Sequence, residues 1–95
     1  MVWTVKVQTE RGETVEPDVD IGFDEIPYGL EYPICSGVDR YAQTLLNFLQ
    51  LKTFVAEWDR AAQTPEFAHL KEKRLIRDLA ERVAREQLYL RFLGD

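Results

Sequence analysis

Polar and apolar residues alternate from Val2 to Thr9, with Trp3, Val5 and Val7 on one side and Thr4, Lys6 and Gln8 on the other. A period of two predicts a half-buried strand. Glu10-Arg11-Gly12-Glu13 then reads as a polar turn, with glycine where tight reversals favour it. Val19, Ile21 and Phe23 alternate with Asp20 and Gly22, so a second strand is expected, entered irregularly through Pro17. Between Asp24 and Ser36 lie Pro27, Gly29 and Pro33. Those residues argue against a helix and predict a surface loop that turns Tyr28, Tyr32 and Ile34 toward the core.

From Ser36 onward the period changes. Ser36 is placed to cap a helix, and Asp39 adds negative charge to its first turn. At 100° per residue, Val38, Tyr41, Ala42, Leu45, Phe48 and Leu49 share one side, while Leu51, Phe54, Val55, Trp58 and Ala62 fall almost opposite. One straight helix cannot bury both stripes against a single core, so two helices meeting near Gln50, or a sharp bend there, are expected. The other arrangement is a straight helix held between two layers or two subunits. Thr64-Pro65 supplies a capping hydroxyl and a first-turn proline for a further helix, with Ala68, Leu75, Ile76, Leu79, Ala80 and Val83 as its stripe. Asp78–Arg82 and Glu81–Arg85 are spaced as i,i+4 ion pairs. The last run, Leu88 to Leu93, alternates again and reads as a terminal strand, which would pair with Trp3–Val7, with Gly94-Asp95 closing the chain.

These elements predict a single α+β domain over residues 1–95. Its small sheet has about three strands, two N-terminal and one C-terminal. Helical segments near 37–49, 51–62 and 65–84 pack on one face. Ninety-five residues suit one domain with a modest core. No apolar run reaches the ~18–20 residues that span a bilayer, and Met1–Val7 lacks the pattern of a secretory signal. A single cysteine, Cys35, forms no internal pair, so a reducing cytoplasm is the expected compartment.

The net charge of −5 is unevenly spread. Residues 1–38 carry eight acids against Lys6 and Arg11, a net of −6; residues 39–95 carry nine acids against ten bases, a net of +1. A negative chain is a poor partner for nucleic acid, whose binding needs a cationic footprint. It suits a basic protein partner instead.

No catalytic centre is nominated. Glycine-rich phosphate loops, HExxH, CxxC and GxSxG are all missing from the sequence. Cys35 has no histidine near it in sequence and reads as a small buried hydrophobe, while His69 sits at the start of a charged helix. Asp18, Asp20, Asp24 and Glu25 fail the calcium-loop test because glycine falls at the fifth position and no glutamate follows at the twelfth. No metal and no cofactor are expected. The candidate partner-binding residues are Glu16, Asp18, Asp20, Asp24 and Glu25, together with the helix-face residues Asp39, Arg40, Gln43 and Asn47. The second role open to the amides of that face is structural, satisfying backbone groups freed at a helix break.

The stretch Asp39-Arg40-Tyr41-Ala42-Gln43-Thr44-Leu45-Leu46-Asn47-Phe48-Leu49-Gln50 resembles a signature of short uncharacterised bacterial proteins. It reads there like Asp-Pro-Tyr-Gly-Asp-Thr, then Phe-Asn and Leu-Gln. Asp39, Tyr41, Thr44, Asn47, Leu49 and Gln50 match, while Arg40, Ala42 and Gln43 depart from it. The ending Leu88-Tyr89-Leu90-Arg91-Phe92-Leu93-Gly94-Asp95 is similar as well. The resemblance brings no activity with it, but it implies that residues 39–50 and the C-terminus form one structural unit. The function expected from the sequence is a non-catalytic interaction module, for instance an immunity- or antitoxin-like inhibitor of a basic protein. Two alternatives stand beside it: a self-assembling structural protein that forms a homo-oligomer such as a homodimer, and a small hydrolase or ligand-binding domain using carboxylates near Tyr28, Tyr32 and Tyr41.

Overall fold

A computed structural model describes residues 1–94. Four strands form one antiparallel sheet: β1 (Val2–Gln8), β2 (Val19–Gly22), β3 (Gln43–Leu46) and β4 (Tyr89–Leu93), in the order β2-β1-β4-β3. Helices α1 (Pro33–Ser36), α2 (Phe48–Ala62) and α3 (Leu75–Arg85) complete the α+β fold. The expected alternation holds in β1, where Trp3, Val5 and Val7 are buried. Leu90 and Phe92 of β4 lie beside them, because Val5 faces Phe92 and Val7 faces Leu90 across the ladder. Trp3 also faces Ile21 of β2. Against this row pack Leu51, Phe54, Trp58 and Ala61 of α2 and Ile76, Ala80 and Val83 of α3. Phe54 lies 6.2 Å from Phe92, ring centre to ring centre, and joins the layers. Burying a side chain of this size stabilises the fold by about 1.5–3 kcal/mol.

The sheet has four strands instead of about three because residues 37–47, most of the predicted 37–49 segment, are not helical. Asn47 caps α2: its Oδ1 accepts from the Gln50 amide at 2.8 Å, and Gln50 Oε1 accepts from the Asn47 amide at 2.9 Å. The helix therefore begins at Phe48, and the residues before it pair with β4, Thr44 opposite Phe92 and Leu46 opposite Leu90. There is no break at Gln50. The first stripe is divided, Val38, Tyr41, Ala42 and Leu45 running through the loop and β3 while Phe48 and Leu49 open α2 ahead of the second, which removes the reason for placing a dimer interface or a second layer there. Ser36 ends a helix instead of starting one.

Three smaller expectations also change. Pro33 does not prevent a helical turn; it opens α1 at a position where no amide is required. The predicted 65–84 helix is divided. Thr64 Oγ1 donates back to the Ala61 carbonyl at 2.7 Å, a 3-10 turn covers Ala68–Glu72, and α3 starts only at Leu75, which is exposed. Phe67 and Leu70, off the predicted stripe, are buried through separate contacts. On α3 the bonded i,i+4 pairs are Arg74–Asp78, Arg77–Glu81 and Arg82–Glu86, not Asp78–Arg82 or Glu81–Arg85. Arg77 also reaches across to α2 and holds Asp59 with two 2.9 Å bonds.

The C-terminal strand pairs with β1 as expected, and Gly94 continues the ladder by donating to the Ala42 carbonyl at 3.0 Å. A Cβ at Gly94 would meet the Arg40 carbonyl and come within 2.7 Å of the Tyr41 nitrogen, so only glycine fits there. Asp95 lies outside the described residues. α3 closes with Leu88 N–H bonded to Val83 O and Gln87 N–H to Ala84 O, which places Gln87 in the left-handed region at φ 58°. Glycine carries no Cβ penalty there. Gln87→Gly is expected to raise stability by about 0.5–1 kcal/mol, read as a higher urea midpoint at constant slope.

Candidate functional site

The loop that carries the exposed Tyr28 and Leu30 is gripped from α2. Glu57 points inward from that helix and is only 3% exposed. Its Oε1 accepts from the amides of Ile34 (3.0 Å) and Cys35 (2.9 Å), and its Oε2 lies 3.2 Å from Ile34 N. These are the first amides of α1, which have no partner within so short a helix. From the next residue, Trp58 Nε1 donates to the Glu25 carbonyl at 3.1 Å. Arg60 donates to the Glu31 carbonyl and lies 5.3 Å over the Tyr32 ring. From the other side Phe67 meets Tyr28 and Tyr32 edge-on at 5.3 and 5.8 Å. Residues 23–36 are thereby fixed to the helical layer, with Tyr32 and Cys35 buried and Tyr28 left outside.

The neighbouring segment, residues 37–42, is fixed from the sheet. Trp3 Nε1 donates to the Asp39 carbonyl at 2.8 Å. Asp39 Oδ1 accepts from the Tyr41 amide at 2.7 Å, and Thr44 Oγ1 accepts from the Asp39 amide at 2.9 Å. Tyr28 and residues 36–41 line an open depression of about 650 Å³. Around it Tyr28 is 56% and Tyr41 74% exposed, and Leu30, on the same loop, is 99% exposed. The Arg40 guanidinium lies 5.2 Å from the Phe23 ring and 5.9 Å from that of Tyr28, held by aromatic faces.

Of the nine residues singled out from sequence, Asp39 and Arg40 alone line this depression. Glu16 receives two bonds from Arg82 of α3, at 2.7 and 2.6 Å. Asp18 pairs with Lys6 at 2.7 Å, and Asp20 accepts from Thr4 at 3.0 Å, on the sheet face away from the helices. Asp24 pairs with Lys73, and Glu25 accepts from the Gly22 amide at 2.6 Å. Gln43 accepts from Arg91 at 2.9 Å, and Asn47 caps α2. The acids are thus distributed over both layers, and bases of the C-terminal half neutralise two of them. Tyr28, Leu30 and Tyr41 were not singled out as contact residues. For Tyr28 and Leu30 the signal was present, since aromatic and apolar side chains in a loop with Pro27, Gly29 and Pro33 cannot all reach a core.

Asp39, Thr44, Asn47 and Gln50, four of the residues behind the resemblance, form turn and cap bonds. Gly94 stands directly against Arg40 and Tyr41. Cys35 is buried and its Sγ points to the Phe54 carbonyl; burial, then the Glu57 charge, push its thiol well above the usual range. Such a thiol is a poor nucleophile. His69 Nε2 rests 2.9 Å from the Asp24 carbonyl. Among the described residues no group of three or more His, Cys, Asp and Glu side chains is placed to hold a metal. Among the described residues Asp39 is the only carboxylate that lines the depression, and Tyr32 is buried outside its lining. A second groove, about 440 Å³, runs between α2 and α3 and is lined by Lys52, Val55, Glu81, Ala84, Arg85 and Gln87. Among the described residues no helix is long and apolar enough to cross a membrane.

The Arg82 bonds hold the Glu16 carboxyl below its ordinary value of 4.5, and Lys73 holds that of Asp24 below 3.8. A depressed folded-state pKa adds stability above the unfolded value and loses it as pH falls through the folded one. Glu16→Gln is expected to cost up to about 1 kcal/mol at neutral pH, the range of a partly exposed pair. Its deficit against the parent narrows as pH falls below about 4.5, read from urea midpoints at each pH.

No protein-family model, no curated protein and no solved structure matches this chain.

Proposed function

We propose that the protein is a non-catalytic interaction module that binds a basic protein partner through the surface formed by residues 24–41. The observation that carries this reading is that Tyr28 and Tyr41 stand exposed beside Arg40, with Leu30 exposed on the loop of Tyr28, on segments fixed from α2 and from the sheet. Tyrosine and arginine are the residues most often found where binding energy concentrates. A loop that is already ordered loses little further freedom on docking. Glu31 and Glu25 lie on the same loop, and the chain carries a net charge of −5, so a basic partner is drawn toward it. An immunity- or antitoxin-like inhibitor of a basic protein is one concrete form.

The reading is tested by capture from the native host lysate on immobilised protein, compared with Tyr28→Ala and Tyr41→Ala. The expected result is a basic protein retained at low salt and released as salt rises. Each variant loses about tenfold or more in affinity, the cost of truncating an interface anchor. Retention unchanged in the double variant moves the contact elsewhere. Capture of only acidic proteins, or a salt-independent contact, removes the charge argument.

A further inference from the structure

The two edges of the sheet are built differently. β2 carries Asp20 within it and Pro17 and Asp18 at its entry, all devices that discourage another strand from adding. β3 carries none. From Tyr41 through Leu51 the sequence has no charged residue at all. Because Gly94 N–H bonds to Ala42 O, residues 42, 44 and 46 direct their backbone groups toward β4. Gln43 and Leu45 therefore direct their N–H and C=O groups away from the sheet. Among the described residues neither backbone has a bond on that side. Leu45 is 45% exposed, and Leu49, three residues past the strand, is 61% exposed.

We infer that β3 is a docking edge for a second copy of this chain, the two β3 strands pairing antiparallel across a two-fold axis so that one sheet runs through both copies. With Gln43 of one copy opposite Leu45 of the other, every outward backbone group of the two residues finds a partner, and Thr44 meets its own counterpart. Such self-complementary pairing is what a two-fold contact requires. Charge favours this occupant over a basic protein. Two copies of net charge −5 repel wherever acids meet, and 41–51 lets them approach with no acid apposed, while Arg91, which donates to Gln43 Oε1 at 2.9 Å, sets a positive charge beside the edge. A basic partner gains nothing electrostatically from that neutral segment. Gln43 and Leu45 are not among the residues that line the depression beside Tyr28, so different variants test the two proposals.

Sedimentation of the wild-type chain over a roughly hundredfold concentration range is expected to show a monomer passing to a dimer. Over the same range, hydrogen exchange is expected to slow about tenfold or more at the Gln43 and Leu45 amides. Thr44 and Leu46, already bonded to β4, change far less. Leu45→Pro removes the outward N–H at a position where an edge strand tolerates proline, and abolishes the dimer. Should that variant fold poorly, Leu45→Glu, beside Arg91 in the ladder, keeps the monomer and carries the same expectation. Leu30→Glu, equally a charge on an exposed leucine but outside β3, leaves the dimer intact. A wild-type monomer at the highest concentration overturns the inference, as does a dimer that survives both Leu45 variants or that leaves the Gln43 and Leu45 amides unprotected.

Discussion

Trp58→Ala is expected to lower stability by about 3–5 kcal/mol, the cost of emptying a large aromatic site in a packed core. A chain of this length has only about 5–14 kcal/mol in total, so the variant stands at the margin of folding. Trp58 is fully buried, donates to the Glu25 carbonyl, and carries the Arg74 guanidinium 5.7 Å over its ring. Trp58→Phe separates these contributions. It keeps most of the apolar contact but leaves the Glu25 carbonyl unpaired, for an expected loss of about 1–3 kcal/mol. Urea unfolding followed by far-ultraviolet circular dichroism measures both. A loss below about 1 kcal/mol for the alanine variant contradicts the packing described for the core.

Glu57→Ala comes second, with an expected loss of about 2–4 kcal/mol, because the amides of Ile34 and Cys35 stay buried without an acceptor. Glu57→Gln is milder, about 1 kcal/mol, since the oxygen at the Oε1 position accepts from both amides. The effect is local before it is global. With its clasp removed, α1 opens more often, and Cys35 meets a thiol reagent without complete unfolding. Labelling of Cys35 is therefore expected to accelerate more in Glu57→Ala than the fall in overall stability accounts for. Equal changes in the two quantities place Cys35 in the same cooperative unit as the sheet.

Three of the four strands were legible because each carries a period of two with a residue contrast strong enough to see, as in Trp3-Thr4-Val5-Lys6-Val7. The fourth was not. Tyr41, Leu45 and Leu49 repeat every four residues and imitate a helical stripe, yet all three are exposed. Inward burial falls to Val38 and Leu46 instead. A period says which residues lie together only if those residues are buried, and here they are not. Asn47 followed three positions later by Gln50, just ahead of Leu51 and Phe54, was the stronger signal: it is a reciprocal cap and fixes the helix start. Glu57 was equally visible as a lone acid between Phe54 and Trp58, but the amides it serves lie more than twenty residues away, and no local pattern points to them. The acidic residues of the N-terminal half were counted correctly by sequence. Their distribution was not, because Glu16–Arg82 and Asp24–Lys73 join positions that only the finished fold brings together.

The arrangement of the sheet has a consequence for synthesis. β1 and β4 are the two inner strands, and every pair between them, from Gln8–Tyr89 to Thr4–Leu93, spans more than eighty residues. While the ribosome is still translating residues upstream of 89, β1 has only the short β2 beside it, and β3 has no neighbour at all. The sheet therefore assembles in one late event, after the nascent chain has released the strand that sits at its centre, and pairing of such high contact order is slow. Until then Trp3, Val5, Phe54 and Trp58 remain uncovered, which makes the emerging polypeptide a natural client for chaperones.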